Sequence, residues 1–230
     1  MIVSINQPSF LPWMGYFERI ALSDTHVILD HVQFEKNSLI NRNKLRTKNG
    51  VTWITVPVCK KESISKKISD IKINNKIQWK RKHLNKIKLL YSKTENFERY
   101  YDVLHSIYQL DWKKLSLFIN HINKIILDEM NIDTKIVYSS EEMYACRKSD
   151  LILEICKRLN ATKYLSGPYG KQYLNLSDFT REHIEVSFHD FKCPNYTQSY
   201  PGFEPNLSIL DTLFNIGNNC SNLIKTKCKF

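Results

Sequence analysis

The first thirty residues constrain the fold most. Residues 2–6 (IVSIN) read as a short apolar strand stopped by Pro8, and 26–30 (HVILD) read as a second strand. Between them, Met14 to Leu22 (MGYFERIAL) has the pattern of a helix entered through a Pro12-Trp13-Met14-Gly15 turn. Strand, loop, helix and strand in so short a span open a βαβ unit, for which parallel pairing is the usual result. The fold class expected is therefore α/β, with a Rossmann-like, mostly parallel sheet.

The rest of the chain extends that reading. VTWITVPV (51–58) is rich in β-branched residues and predicts a strand, as do 68–73, 135–138 (KIVY), 163–170 (KYLSGPYG, strand then turn) and 184–188. Gln33 to Gly50 reads as a polar stretch without regular structure. Helical periodicity places helices near 76–91, 95–109 and 112–129, the last with a buried stripe of Leu115, Phe118, Ile119, Ile122, Ile126 and Met130 and with Asp111 as its cap. Ser149 or Asp150 begins a helix through LILEICKRL, and Asn206 and Gly217 bracket a closing one. With no linker and no repeat, 1–218 reads as a single α/β domain with a helical insertion at about 76–130, followed by a polar C-terminal tail, 219–230.

Charge needs care. The net charge of +11 is concentrated in Lys36 to Arg99, with 18 basic and 4 acidic residues, while the remainder is slightly acidic. The surplus is mostly lysine (26 Lys against 8 Arg), a solvated point charge rather than the planar fork that nucleic-acid faces favour. No zinc-finger, KH or RNP-like pattern accompanies it. A solvated helix face, a patch steering a phosphorylated ligand and a nucleic-acid surface over 36–99 all remain open, nucleic acid ranking last. No run of 18 apolar residues occurs, the first thirteen residues lack a basic leader region, and the six cysteines form no CxxC pair. The expectation is a cytoplasmic protein with no membrane insertion.

Four segments carry polar groups suited to chemistry. Gln7 to Tyr16 lies at the carboxyl end of the first strand, where parallel sheets bind ligands, and offers Gln7, Trp13 and Tyr16 beside a Gly15 that allows close approach. Its Trp13-Met14-Gly15-Tyr16 has the length of the HxGH motif of nucleotidylyltransferases without either histidine, which points at most to a nucleotidylyltransferase-like fold. The second segment runs from Asp30 to Asn43. There His31 is the candidate general base, Asp30 its orienting carboxylate and Arg42 a catalytic clamp, with Gln33, Lys36, Asn41 and Asn43 as binding groups.

In the third segment Ser166, Gly167, Gly170, Lys171 and Tyr173 form an anion-handling turn that lacks the Walker spacing. The fourth offers His189, Asp190 and Gln198 as pocket groups, with Asp211 on an apolar helix beyond. A Cys193 nucleophile and a shared metal are weaker readings there, since no set of three or four ligands presents itself, so no metal is expected.

Taken in order, QPSFLPWMGYF (7–17), DTHVILDHVQFEKNSLINRNK (24–44), TWITVPV (52–58), YLSGPYGKQYL (164–174) and FHDFKCPNYTQSYPGFEPNLSILDTLFNIG (188–217) resemble the WbqC-like protein family. Gln7, Pro12, Gly15, Tyr16, Asp30, Gln33, Asn41, Arg42, Asn43, Ser166, Gly167, Gly170, Tyr173, Pro194, Gln198, Asp211 and Asn215 match its motif positions. Leu39 stands where many members have an aromatic, and Thr197 falls where the CPNYTQ stretch has a second proline in others. The resemblance implies a role in bacterial cell-surface polysaccharide (O-antigen) biosynthesis, with acyl or aminoacyl transfer to an amino sugar as the implied activity. A non-catalytic nucleotide-sugar-binding protein, or a scaffold for a glycosyltransferase, is the alternative. The partners implied are a small-molecule sugar and a carrier protein or glycosyltransferase. No cofactor is expected, an activated acyl donor or a nucleotide-sugar serving as substrate.

Overall fold

The computed structural model describes residues 1–59 and 65–226. Its centre is a five-stranded parallel sheet: β1 (Ile2–Asn6), β2 (Thr25–Ile28), β5 (Lys135–Tyr138), β6 (Lys163–Ser166) and β7 (Glu185–Phe188), arranged β5-β2-β1-β6-β7. The expected mixed α/β fold with a mostly parallel sheet is thus present. The chain builds outward from β1 on one side, then restarts on the other with β6. The carboxyl ends of β1 and β6 therefore diverge into a crevice, as they do wherever strand order reverses in an open parallel sheet.

Helices cover both faces. On one, Val3, Ile5, Val27 and Tyr164 pack against Leu151, Ile152 and Ile155 of α5 (Lys148–Arg158) and Phe179 of α6 (Leu176–Arg181). The other carries α1 (Met14–Ala21) and the larger core, to which α4 (Leu115–Glu129) presents the predicted stripe of Leu115, Phe118, Ile119, Ile122 and Ile126. Ser4 and His26 are fully buried on this second face, where the Ser4 hydroxyl meets His26 Nδ1 at 2.7 Å and Ser23 donates to Ser4.

The crossover from β2 to β5 comprises residues 29–134. It holds α2 (Trp79–Tyr91), α3 (Phe97–Gln109) and α4, and also an antiparallel hairpin, β3 (Arg42–Thr47) and β4 (Gly50–Thr55). Sequence periodicity misses β3 because its alternation, RNKLRT, buries Asn43, Leu45 and Arg46 rather than a run of apolar residues. Residues 68–73, read as a strand, instead make a 3-10 turn at Ile68–Asp70. Helix α7 (Ile209–Ile216) is capped by Ser208 rather than Asn206, α4 begins after Lys114 rather than at an Asp111 cap, and α6 was not anticipated. After α7 the chain keeps contact with the core: Cys220 is fully buried, and the Lys225 amide donates to Glu18. Of the segment read as a tail, 227–230 lie outside the described residues, as do Lys60 and Lys61 of the basic stretch.

Candidate functional site

Parallel strands bring three loops to one edge: Gln7–Trp13 after β1, the Gly167 turn after β6, and His189–Phe191 after β7. The turn after β6 is a 3-10 helix, Pro168–Gln172. The crevice between the loops has two lobes, of about 520 and 660 Å³, with Ile5, Asn6, Trp13, Leu39, Tyr169 and Tyr173 as walls of both. Volumes of this order suit small-molecule sites. The smaller lobe adds Gly15, Arg19, Asn43, Lys44, Gly167, Gly170, His189, Asp190 and Asn206. The larger adds Gln7, Ser9, Glu35, Ser38 and Lys148.

Helix periodicity explains the floor of the smaller lobe. Gly15, Glu18 and Arg19 fall three and four residues apart, on one face of α1. Gly15 has no room for a side chain, since a Cβ there would lie 2.5 Å from the Phe191 ring and 2.6 Å from Trp13 Nε1. A Cβ on Gly167 would lie 2.3 Å from Arg19 Nη1. Both glycines thus let aromatic and guanidinium groups close over bare backbone.

Arg19 is the unusual member. It is 6% exposed, and no side-chain hydrogen bond or ion pair holds its guanidinium among the described residues; Nε is buried without a partner. Burial pushes its pKa down, and the phenols of Tyr164, Tyr16 and Tyr173 pull it partly back up. A buried cation without a counter-ion is costly, by several kcal/mol when a pair is broken. At a crevice wall, such a group can receive an anion.

Beside it, His189 and Glu18 form a pair. His189 Nε2 lies 2.9 Å from Glu18 Oε1, with side-chain exposures of 8% and 5%. The other Glu18 oxygen accepts the Lys225 amide, and the His189 amide donates to the Ser166 carbonyl, so both partners are fixed. With a carboxylate accepting at Nε2, the proton sits there and Nδ1 carries the lone pair. Burial lowers the imidazole pKa, while Glu18 pulls it upward. This is an oriented imidazole that stays neutral and basic near neutral pH.

The other residues singled out from sequence divide. Gln7, Trp13, Asn43, Gly167, Gly170, Tyr173, His189 and Asp190 line the crevice. Ser166 lies buried beneath it, its hydroxyl on the Gly167 carbonyl. Tyr16 instead faces a separate cavity of about 690 Å³ between α4 and the β2/β5 side of the sheet. Lys171 is exposed, with its ammonium 5.4 Å from the Phe188 ring, and Gln33 and Lys36 are exposed as well. Asn41 is buried and donates to the Val56 carbonyl. Gln198 clamps the aromatic loop through Glu204 and Tyr196, and Asp211 accepts from the hydroxyls of Tyr91 and Tyr196.

His31, Asp30 and Arg42 do not meet as one site. Asp30 accepts from Ser139 and Ser140, and the Ser139 hydroxyl lies 2.7 Å from His31 Nδ1, so these two residues are joined through a serine. They tie the end of β2 to the turn after β5, and neither is among the residues that line the crevice. The Arg42 guanidinium lies 4.2 Å from the Trp53 ring centroid on the hairpin and donates to the Asn37 carbonyl. Sequence reasoning passed over Glu18 and Arg19; the signal available was a charged pair inside an otherwise apolar helix, MGYFERIA.

No helix among the described residues is long and apolar enough to cross a membrane. In the basic stretch, Lys80 and Lys86 donate to the Leu110 and Trp53 carbonyls, which makes part of that charge structural. The model of the WbqC-like protein family matches residues 7–222. The uncharacterized protein Rv1507c of Mycobacterium tuberculosis (strain ATCC 25618 / H37Rv) is 34% identical over 217 residues, covering 94% of each chain. No solved structure matches the chain.

Proposed function

The chain belongs to the WbqC-like protein family, and from that premise and the crevice we propose a group-transfer enzyme of bacterial surface-polysaccharide biosynthesis that acylates or aminoacylates an amino sugar. The observation that carries the reading is Arg19, a buried guanidinium without a counter-ion among the described residues, on a crevice wall that it shares with an oriented imidazole. The strand order, with the crevice where it reverses, also supports the Rossmann-like reading of the sheet. The nucleotidylyltransferase-like variant rests on the Trp13–Tyr16 loop alone.

In this reading Arg19 holds the anionic leaving group of an activated acyl donor. The sugar amine enters from the larger lobe, where Glu35 supplies a carboxylate for an amino group. The amine nitrogen attacks the acyl carbon, a C–N bond forms, and the bond from that carbon to the leaving oxygen breaks. His189 Nδ1 accepts the proton that the nitrogen loses, and Glu18 stabilises the imidazolium. The departing anion stays on Arg19. His31, held to Asp30 through Ser139, serves the architecture of the sheet edge instead.

The test is amide formation, followed by mass spectrometry, with amino sugars and their nucleotide-linked forms as acceptors and acyl phosphates or acyl adenylates as donors. Product formation that falls at least a hundredfold in His189→Asn is expected, since general bases contribute on the order of 10²–10⁴. Binding of sugar nucleotides without any transformation would instead favour the non-catalytic alternative.

A further inference from the structure

The Arg19 lobe carries more than an anion site. Tyr169 and Tyr173 lie on the turn after β6, 75% and 46% exposed, and both wall the crevice. Asp190, exposed at the end of β7, puts a carboxylate on the rim of the same lobe. The lobe thus offers a buried cation, a rim carboxylate and two exposed aromatic rings at the reversal point of a parallel sheet. Each matches one part of a single ligand class: a phosphate for the guanidinium, a ribose diol for the carboxylate, and a flat heterocycle for the rings. An acyl phosphate alone would use only the first.

We infer that the anionic group bound at Arg19 belongs to a nucleoside 5′-phosphate, with Asp190 accepting from ribose hydroxyls and the base stacked on Tyr169 and Tyr173. This rests on the proposed function and sharpens it, because the donor then carries a nucleoside. The base is recognised by its face, so purine and pyrimidine nucleotides bind within a few-fold of each other.

Calorimetric titration of the full chain with AMP, UMP, ribose 5-phosphate and inorganic phosphate separates the parts. AMP and UMP should bind at least tenfold more tightly than ribose 5-phosphate. Tyr169→Ala, at an exposed position that does not endanger folding, should lower AMP affinity about tenfold and leave phosphate binding unchanged, in keeping with roughly 1–3 kcal/mol for a base stacked on an aromatic ring. Arg19→Met, with Arg19→Lys as the variant that retains a charge and with folding checked by circular dichroism, should lose phosphate and nucleotides together. Nucleotides that bind no better than ribose 5-phosphate, or that ignore Tyr169→Ala, would overturn the nucleoside inference and leave the anion site standing. Phosphate and nucleotide binding indifferent to Arg19, or no binding at all, would overturn both.

Discussion

At the scale of single residues, a histidine's role follows from what its second nitrogen meets. His189, His31, His83 and His26 each have at least one ring nitrogen held by a neighbour, yet of the four only His189 lines the crevice. His31→Ala is therefore expected to leave turnover within a few-fold, whereas His189→Asn removes the base. The pH profile checks the same assignment. Because burial lowers the His189 pKa, the base should stay active below pH 6.5, and kcat/KM should decline on an acid limb beneath that value. Glu18 is what holds that pKa up against burial. Glu18→Gln should therefore move the acid limb to still lower pH while reducing the rate, and an unmoved limb in that variant would remove Glu18 from the role of orienting group.

Between elements, a few buried polar contacts do what apolar packing cannot, which is to fix register. His83 of α2 joins the hairpin: its Nε2 lies 2.9 Å from the Thr55 carbonyl and its Nδ1 3.1 Å from the Tyr108 hydroxyl on α3. Both bonds suit the neutral ring, with Nε2–H donating and Nδ1 accepting, and burial pushes the pKa down to about 4. The unfolded chain takes up this proton near 6.5, so between the two values it binds more protons than the folded chain. Stability should accordingly be complete above pH 6.5 and be lost as pH falls toward 4, by roughly 3 kcal/mol from this group. Urea titrations at pH 7 and pH 4.5 measure the loss, and His83→Gln should flatten the difference. Helix α1 meets its loops just as closely. Gly15→Ala forces the Phe191 ring from its seat and should cost about 1–3 kcal/mol, read as a lowered Tm.

Over the whole molecule, Asp211 connects parts far apart in sequence. Tyr91 of α2 and Tyr196 of the aromatic loop both donate to it from within the core, at 2.9 and 2.8 Å, and Tyr91 in turn accepts the Arg46 amide of β3. Arg46 then donates to the carbonyls of Pro201 and Gly202, which closes the loop over the hairpin. Asp211→Ala removes the acceptor of the buried Tyr91 hydroxyl and of the half-buried Tyr196 hydroxyl and should cost about 3 kcal/mol, or roughly 10 °C in Tm. Through that loop the crevice should loosen too, with KM rising more than kcat falls. Of the readings the sequence leaves open for Asp211, an exposed residue or a buried anchor for a ligand or turn, the contacts show it buried and bonded to Tyr91 and Tyr196.

Much of the architecture was legible because it is local. The strands at β1, β2, β6 and β7 and the helices of the crossover follow from apolar periodicity and from Pro and Gly punctuation, and the βαβ opening alone dictates parallel strands. So was the edge that carries the crevice, since that edge is fixed by strand direction. Which side chains share the site was a different matter. Arg19 and Glu18 are ordinary helix residues in one dimension and become buried groups only because β6 and β7 bring Gly167 and His189 against α1 from 148 and 171 residues away in sequence. Asp30, His31 and Arg42 are neighbours in sequence that the hairpin and the Ser139 turn separate into two structural contacts. Sequence alone determined the parallel sheet, its direction and the edge where its loops gather; tertiary structure decided which charges among the described residues are buried there and how they pair, because burial and pairing belong to contacts between distant segments and not to any one stretch of chain.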